Sequence, residues 1–215
     1  GTPTRTTPKD TERLQRLLRR WPRSHWADRG LYALARAAQS GATEADLAAA
    51  RSLHQRLAEQ YPDSPFAPAA LLNLGALCAR MGDPAEAEQA YQWLIERHPR
   101  SQEALEGLQK LTVMLHTGGR PAEALRWTET LRQHARPEDV PLLLQHAGDL
   151  LLALGRPDEA RVRFTAALTG LDAQIEALDA QIGGREAVPT TLLERHNNLL
   201  RTRRALQTTL ASLSQ

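Results

Sequence analysis

The sequence predicts an all-α chain: antiparallel helix pairs stacked at a period near 37 residues into an α-solenoid, closed by a helical hairpin. Three observations carry this. The phrase Met81-Gly-Asp-Pro-Ala-Glu-Ala87 returns as Gly118-Gly-Arg-Pro-Ala-Glu-Ala124 and Leu154-Gly-Arg-Pro-Asp-Glu-Ala160, with final alanines 37 and 36 residues apart. A second phrase, Trp21-Pro-Arg-Ser24, Tyr61-Pro-Asp-Ser64 and His98-Pro-Arg-Ser101, recurs out of phase with the first, its prolines 40 and 37 apart. Two interleaved breaks at one period mean two helices per repeat. Third, alanine and leucine dominate while aromatic residues make up 4% of the chain. That balance favours helix, and no stretch alternates long enough to suggest a strand.

Residues 1–8 read as a disordered N-terminal segment and residues 9–170 as the array, about four repeats preceded by half of one. The helix at 9–20 is the second half of a repeat whose first half is absent. Leu31, Leu34, Ala35 and Ala38 then mark a first helix and Ala50 a second, joined by the turn Ser40-Gly-Ala-Thr-Glu-Ala-Asp46, longer by about three residues than the later turns. The next unit is clearest. Leu71, Leu74, Cys78 and Met81 lie on one helical face, and Gly82 offers the positive φ that ends the helix. Asp83 caps the following helix, Pro84 suits its first turn and Glu86 completes a capping box. That second helix buries Ala87, Ala90, Tyr91 and Leu94, with Gly75 and Ala87 expected at the closest helix crossing. The third unit keeps Leu108, Leu111, Leu115, Ala124 and Leu131 but has Thr112 and Thr128 in the small and aromatic slots. The fourth returns to pattern with Leu144, Ala147, Gly148, Leu151, Ala160, Phe164 and Ala167.

Residues 171–215 should form the end of an extended helix and a last helix, together a hairpin cap. Leu171, Ile175, Leu178 and Ile182 follow a heptad seam, so the last repeat helix should continue to about Ile182. Gly183-Gly-Arg-Glu-Ala-Val-Pro189 breaks it. Leu192, Leu199, Leu206, Leu210 and Leu213 mark the last helix. A homodimer through the 171–213 hairpin is the alternative use of that seam.

Leu71, Leu74, Gly75, Cys78, Ala87, Tyr91 and Pro99 together resemble the tetratricopeptide repeat, in order and spacing. The resemblance covers roughly residues 9–170 and implies a right-handed solenoid whose first helices line a concave groove. Carried over position by position, that groove receives Arg29, Tyr32, Arg36 and Gln39, then Leu72, Asn73, Ala76 and Arg80. Glu106, Gln109, Lys110 and His116 follow, and then Gln145, His146 and Asp149. The longer period with Tyr-Pro-Asp-Ser spacers is similar to bacterial cell-envelope members, such as an outer-membrane assembly lipoprotein and a Tol–Pal-associated periplasmic protein. A periplasmic or envelope location is therefore favoured over a cytoplasmic one. Chaperone-binding members grip a C-terminal carboxylate with Lys and Asn; here Leu72 and Ala76, Gln109 and Val113, and Gln145 and Asp149 stand at those positions. The resemblance thus implies no such clamp.

The residues argue for binding and against chemistry. No phosphate-cradling glycine loop, nucleophile elbow or zinc-binding helix motif occurs. The seven histidines include no i, i+4 pair, and one cysteine, Cys78, falls on the buried stripe. No catalytic, cofactor or metal residue is expected, and no small-molecule substrate. No stretch is apolar enough for a membrane span, and the start of the chain has no apolar core of a signal peptide. The net charge of +2 does not by itself call for nucleic acid. Residues 1–36 do carry nine Lys/Arg against three Asp/Glu, so a regulatory or nucleic-acid-associated array using that segment is the runner-up. The leading expectation is a protein–protein interaction scaffold taking an acidic peptide or protein segment.

Overall fold

The computed structural model describes residues 8–21, 24, 26–41, 43–183 and 188–213. Expectations about residues 1–7, Pro22, Arg23, Ala42 and residues 184–187 of the Gly183–Pro189 break lie outside the described residues. Ten helices are described, with no strand among the described residues. They are α1 (Pro8–Arg20), α2 (Ala27–Gln39), α3 (Glu44–Gln60), α4 (Ala67–Arg80), α5 (Pro84–Arg97), α6 (Gln102–Thr117), α7 (Pro121–His134), α8 (Val140–Ala153), α9 (Pro157–Gly183) and α10 (Thr190–Ser212). The chain divides into two compact units, Gly1–Met114 and Leu115–Gln215.

Both repeated phrases are turns with a fixed hydrogen-bond pattern. In the glycine turns, Gly82, Gly119 and Gly155 have φ of 80°, 71° and 70°. The Asp83 N–H donates to the Cys78 carbonyl, that of Arg120 to Leu115 and that of Arg156 to Leu151, at 2.7–2.9 Å. Each glycine N–H donates in turn three residues back. This is the Schellman ending, which satisfies carbonyls that a helix end leaves orphaned. In the proline turns, the serine N–H of Ser24, Ser64 and Ser101 donates to the carbonyl of Trp21, Tyr61 and His98 at 3.0–3.2 Å. Each turn therefore stops one helix and aims the next.

The caps depart from expectation in one respect. The Asp83 side chain accepts the Glu86 N–H at 3.3 Å, as a cap should. Glu86 does not return the bond, so the box is incomplete. Its carboxylate is drawn to Arg51 on α3, which also reaches Asp83 at 3.5 Å. An Arg51 guanidinium bridging two acids of the next repeat wins over a local backbone contact. A complete capping box does occur in the long first turn, between Thr43 and Asp46. Where arginine replaces the aspartate, it forks onto the acid three residues on: Arg120 to Glu123 and Arg156 to Glu159, both bidentate at 2.6–2.8 Å.

In the first unit, Leu18, Ala27, Leu31, Leu34, Leu57, Ala67 and Ala70 share one core cluster. The register of the second repeat is set by a ring in a notch. A Cβ on Gly75 would stand 2.4 Å from Cε1 of Tyr91, whose ring fills the space at that crossing. Ala87 is fully buried, but the partner of Gly75 is Tyr91, four residues further along the helix than expected. The second unit repeats the device with Gly148 and the Phe164 ring, also 2.4 Å.

In the second unit, α9 runs 27 residues without a break, about 40 Å at 1.5 Å per residue. α10 lies against it. Leu206 is buried and Leu199, Leu210 and Leu213 pack with Leu144, Leu151, Phe164 and Leu171 of the last repeat. Two polar contacts join the helices, Asp179 with His196 Nε2 at 2.8 Å and the Asp172–Arg203 ion pair at 2.7 Å. The acids and the bases are each seven residues apart, so His196 and Arg203, which interrupt the leucine seam in sequence, stitch its edge.

Candidate functional site

A first helix must bury one stripe and leaves the opposite stripe for other uses. α4 buries Ala67, Ala70, Leu71, Leu74, Gly75, Leu77 and Cys78. Leu72, Asn73 and Ala76 are left half-buried, and Ala79 and Arg80 exposed. α6 buries Ala104, Leu108, Leu111, Thr112 and Leu115, leaving Glu106, Gln109, Lys110 and Val113 in solvent. Between these free sides lies a groove of about 440 Å³, lined by Ala76, Ala79, Tyr91, Gln109, Lys110, Val113 and Met114.

Its shape follows from residue size. Ala76 and Ala79 end at Cβ, so the α4 wall stands back. Gly75 admits the Tyr91 ring to the floor. Gly107 of α6 does the same on the other side, since a Cβ there would meet Leu94 at 2.8 Å and the Tyr91 ring at 3.6 Å. Val113 is an apolar side chain left 63% exposed. The groove thus offers methyl groups and a ring edge below, and an amide and an ammonium at the rim. It can hold an apolar side chain with an acidic neighbour. It holds no nucleophile–base pair. Among the described residues no three His, Cys, Asp or Glu side chains converge as metal ligands.

The remaining residues carried over from the repeat pattern are distributed as follows. Arg29 and Arg36 are exposed on α2. Tyr32 is half-buried and packs with the core, its ring stacked on Phe66 at 5.2 Å and edge-on to His54 at 6.1 Å. Gln39 is half-buried and bonds His54 Nε2 at 3.3 Å. These two residues contact the buried His54 of the first unit's core. In the second unit His116 and Asp149 are exposed, while Gln145 and His146 are half-buried. Burial lowers the His146 pKa and, although Asp149 keeps solvent contact, desolvation raises that of its carboxyl. Both shifts favour the neutral forms on that stretch of α8.

Of the residues that line this groove, sequence reasoning named Ala76, Gln109 and Lys110 as partner-binding and did not name Ala79, Tyr91, Val113 and Met114. Tyr91 was assigned wholly to the core because its spacing is a core spacing. The signal that it reaches the groove floor is the pair of glycines, Gly75 and Gly107, on the two first helices beside it. Cys78 is inert: burial pushes its thiol pKa to about 11, and Sγ lies 3.7 Å from Glu86. His54 holds the aromatic slot of the first full repeat, buried, with its pKa lowered to about 4 by desolvation and then by Arg36.

A family described as a tetratricopeptide repeat-like domain matches residues 27–183. No curated protein matches the chain. Among solved structures, it is similar to BtubC (BKLC) from P. vanneervenii, at 14% identity over 84% of this chain and 76% of that one, with a TM-score of 0.48. A tetratricopeptide repeat protein from Parabacteroides merdae matches at 18% identity over 94% and 77%, TM-score 0.43. The de novo designed helical repeat protein DHR64 matches at 21% identity over 96% and 93%, TM-score 0.27.

Proposed function

The chain belongs to the tetratricopeptide repeat-like family, and we propose on that footing that it is a non-enzymatic scaffold holding a segment of another protein against its first helices. The observation that carries this is the groove between α4 and α6, with its apolar floor and Lys110 at the rim. A floor of Ala76, Tyr91, Val113 and Met114 suits one inserted apolar side chain. Arg36, Arg80 and Lys110 are exposed cations on α2, α4 and α6, against one exposed acid, Glu106. That balance supports an acidic segment as partner. Asn73 would bond its backbone, and Gln145, His146 and Asp149 would act likewise on the second unit.

Reversing three charges together, Arg36→Glu, Arg80→Glu and Lys110→Glu, should weaken a captured partner at least about tenfold, since rim charges act mainly as a set. Circular dichroism should show the helices unchanged. Capture that survives the triple change would overturn the site.

Two finer features belong to the same proposal. The long period and the aromatic-Pro-x-Ser spacers support a bacterial cell-envelope setting, which cell fractionation would refute by finding the protein only in the cytosol. The packing of the α10 leucines with the last repeat supports the hairpin as a cap over the hairpin as a dimer interface. Sedimentation should accordingly give a monomer.

A further inference from the structure

Where two second helices flank a first helix they leave a groove over it, and the first unit shows this groove twice. Over α4 it measures about 60 Å³, with Gln55 on α3, Leu74 beneath, and Ala90 and Trp93 on α5. Over α2 it measures about 330 Å³, with Gln15 on α1, Leu34 beneath, and Leu53 and Arg56 on α3. These are the same four slots one repeat apart. Gln15 and Leu34 stand 40 residues before Gln55 and Leu74, as Trp21 stands before Tyr61. Leu53 and Arg56 stand 37 before Ala90 and Trp93, as Ala50 stands before Ala87. Residue type explains the difference in size. Trp93 puts an indole into the later groove, with Arg97 4.9 Å over its ring. In that slot the earlier groove has an arginine on a flexible stem, and its floor of Leu18, Leu31, Leu34 and Leu53 stays open.

Charge says what the open groove takes. Arg19 and Arg56 line it, whereas Glu59 and Trp93 hold their places one repeat later. Arg19 Nε donates to the Gln15 carbonyl at 3.4 Å and Arg56 Nε to Gln60 Oε1 at 3.0 Å. Neither guanidinium has a carboxylate partner among the described residues. Two such cations beside four leucines select an anion with an apolar chain, and the guanidinium fork matches a carboxylate. A peptide would find little there for its amides, since Gln15 is the one lining side chain that can accept a backbone N–H. An acyl chain has no amide to satisfy. The volume lies at the lower end for ligand pockets, which suits a small ligand. We propose that the groove over α2 binds a medium-chain aliphatic carboxylate, its chain on Leu18, Leu31, Leu34 and Leu53 and its carboxylate between Arg19 and Arg56. This site shares no residue with the groove of α4 and α6.

The test titrates the whole chain with octanoate, octylammonium and 1-octanol, each below the concentration at which it self-associates. Calorimetry should find octanoate binding at least about tenfold tighter than either of the others. Arg56→Trp gives the slot the residue of the next repeat and should remove octanoate binding, with the helices unchanged by circular dichroism. The pair Arg19→Gln and Arg56→Gln should bring octanoate level with 1-octanol, and it decides the matter if Arg56→Trp disturbs folding. Equal binding of octanoate and octylammonium, or no saturable binding of octanoate, would overturn the proposal. So would octanoate binding that survives Arg56→Trp but is lost in Lys110→Glu, which would place the ligand in the groove of α4 and α6. A trileucine peptide with a free C-terminal carboxylate that binds more tightly than octanoate would overturn the acyl ligand and assign the groove to the end of a protein chain.

Discussion

Gly75→Ala should destabilise the first unit, although by helix propensity alone it should stabilise it. An alanine inside a helix is worth ~0.5–1 kcal/mol over glycine. Against this, the new Cβ would stand 2.4 Å from Tyr91 Cε1 and 2.7 Å from Cζ, where ordinary contacts begin near 3.4 Å. The ring must move by roughly 1 Å, and Gly107 of α6 also lies close to it, a Cβ there standing 3.6 Å from its Cδ1. Overpacking of this order costs ~1–3 kcal/mol. The net expectation is a loss of ~0.5–2 kcal/mol, read as a lower urea midpoint at unchanged slope. The diagnostic is a change of sign. In a Tyr91→Leu background the notch is no longer filled by a ring, and Gly75→Ala should then stabilise by the propensity term alone. Tyr91 also lines the groove, so a shift of the ring toward it should enter the ligand space and weaken partner binding. Stabilisation by Gly75→Ala in the otherwise unchanged protein would refute the ring-in-notch account.

Gly155→Ala tests the opposite mechanism: nothing lies within 4 Å of its Cβ position, but φ is +70°, so backbone strain alone should cost ~1–2 kcal/mol. A neutral effect on thermal unfolding would show that the turn relaxes. His54 makes the first unit acid-sensitive. Its folded pKa of about 4 lies below the ordinary 6.5, so the unfolded chain takes up the proton first. Stability is full above pH 6.5 and falls as pH drops toward 4, by up to ~3 kcal/mol at 1.36 kcal/mol per pKa unit. His98 is shifted in the same direction by burial. A His54→Phe variant should flatten that slope in urea titrations at pH 4.5 and 7, and an unchanged slope would assign it elsewhere. Leu206→Ala removes the 2%-exposed anchor of α10 and should cost the second unit ~2–4 kcal/mol. Trp127 is the one tryptophan of that unit, and its fluorescence should report an earlier transition.

The fold was legible because its punctuation is local. A glycine with positive φ followed by Asp-Pro or Arg-Pro, and an aromatic-Pro-x-Ser turn, each fix chain direction through hydrogen bonds spanning three to five residues. Such signals survive reading one residue at a time. What failed was decided between helices. Glu86 looked like half of a capping box until Arg51, 35 positions earlier, supplied a charged partner. Tyr32 and Gln39 fall on the ligand-facing stripe by pattern, and what the pattern does not show is that buried His54 takes a ring edge and a hydrogen bond from them. Histidine in an aromatic slot was the available clue. A buried imidazole recruits polar or aromatic neighbours, so positions on the facing helix serve it as well as the surface. The groove shows the same logic in reverse. Its floor residue carries a core spacing, and only the absence of side chains at Gly75 and Gly107 lets Tyr91 serve both the core and the surface.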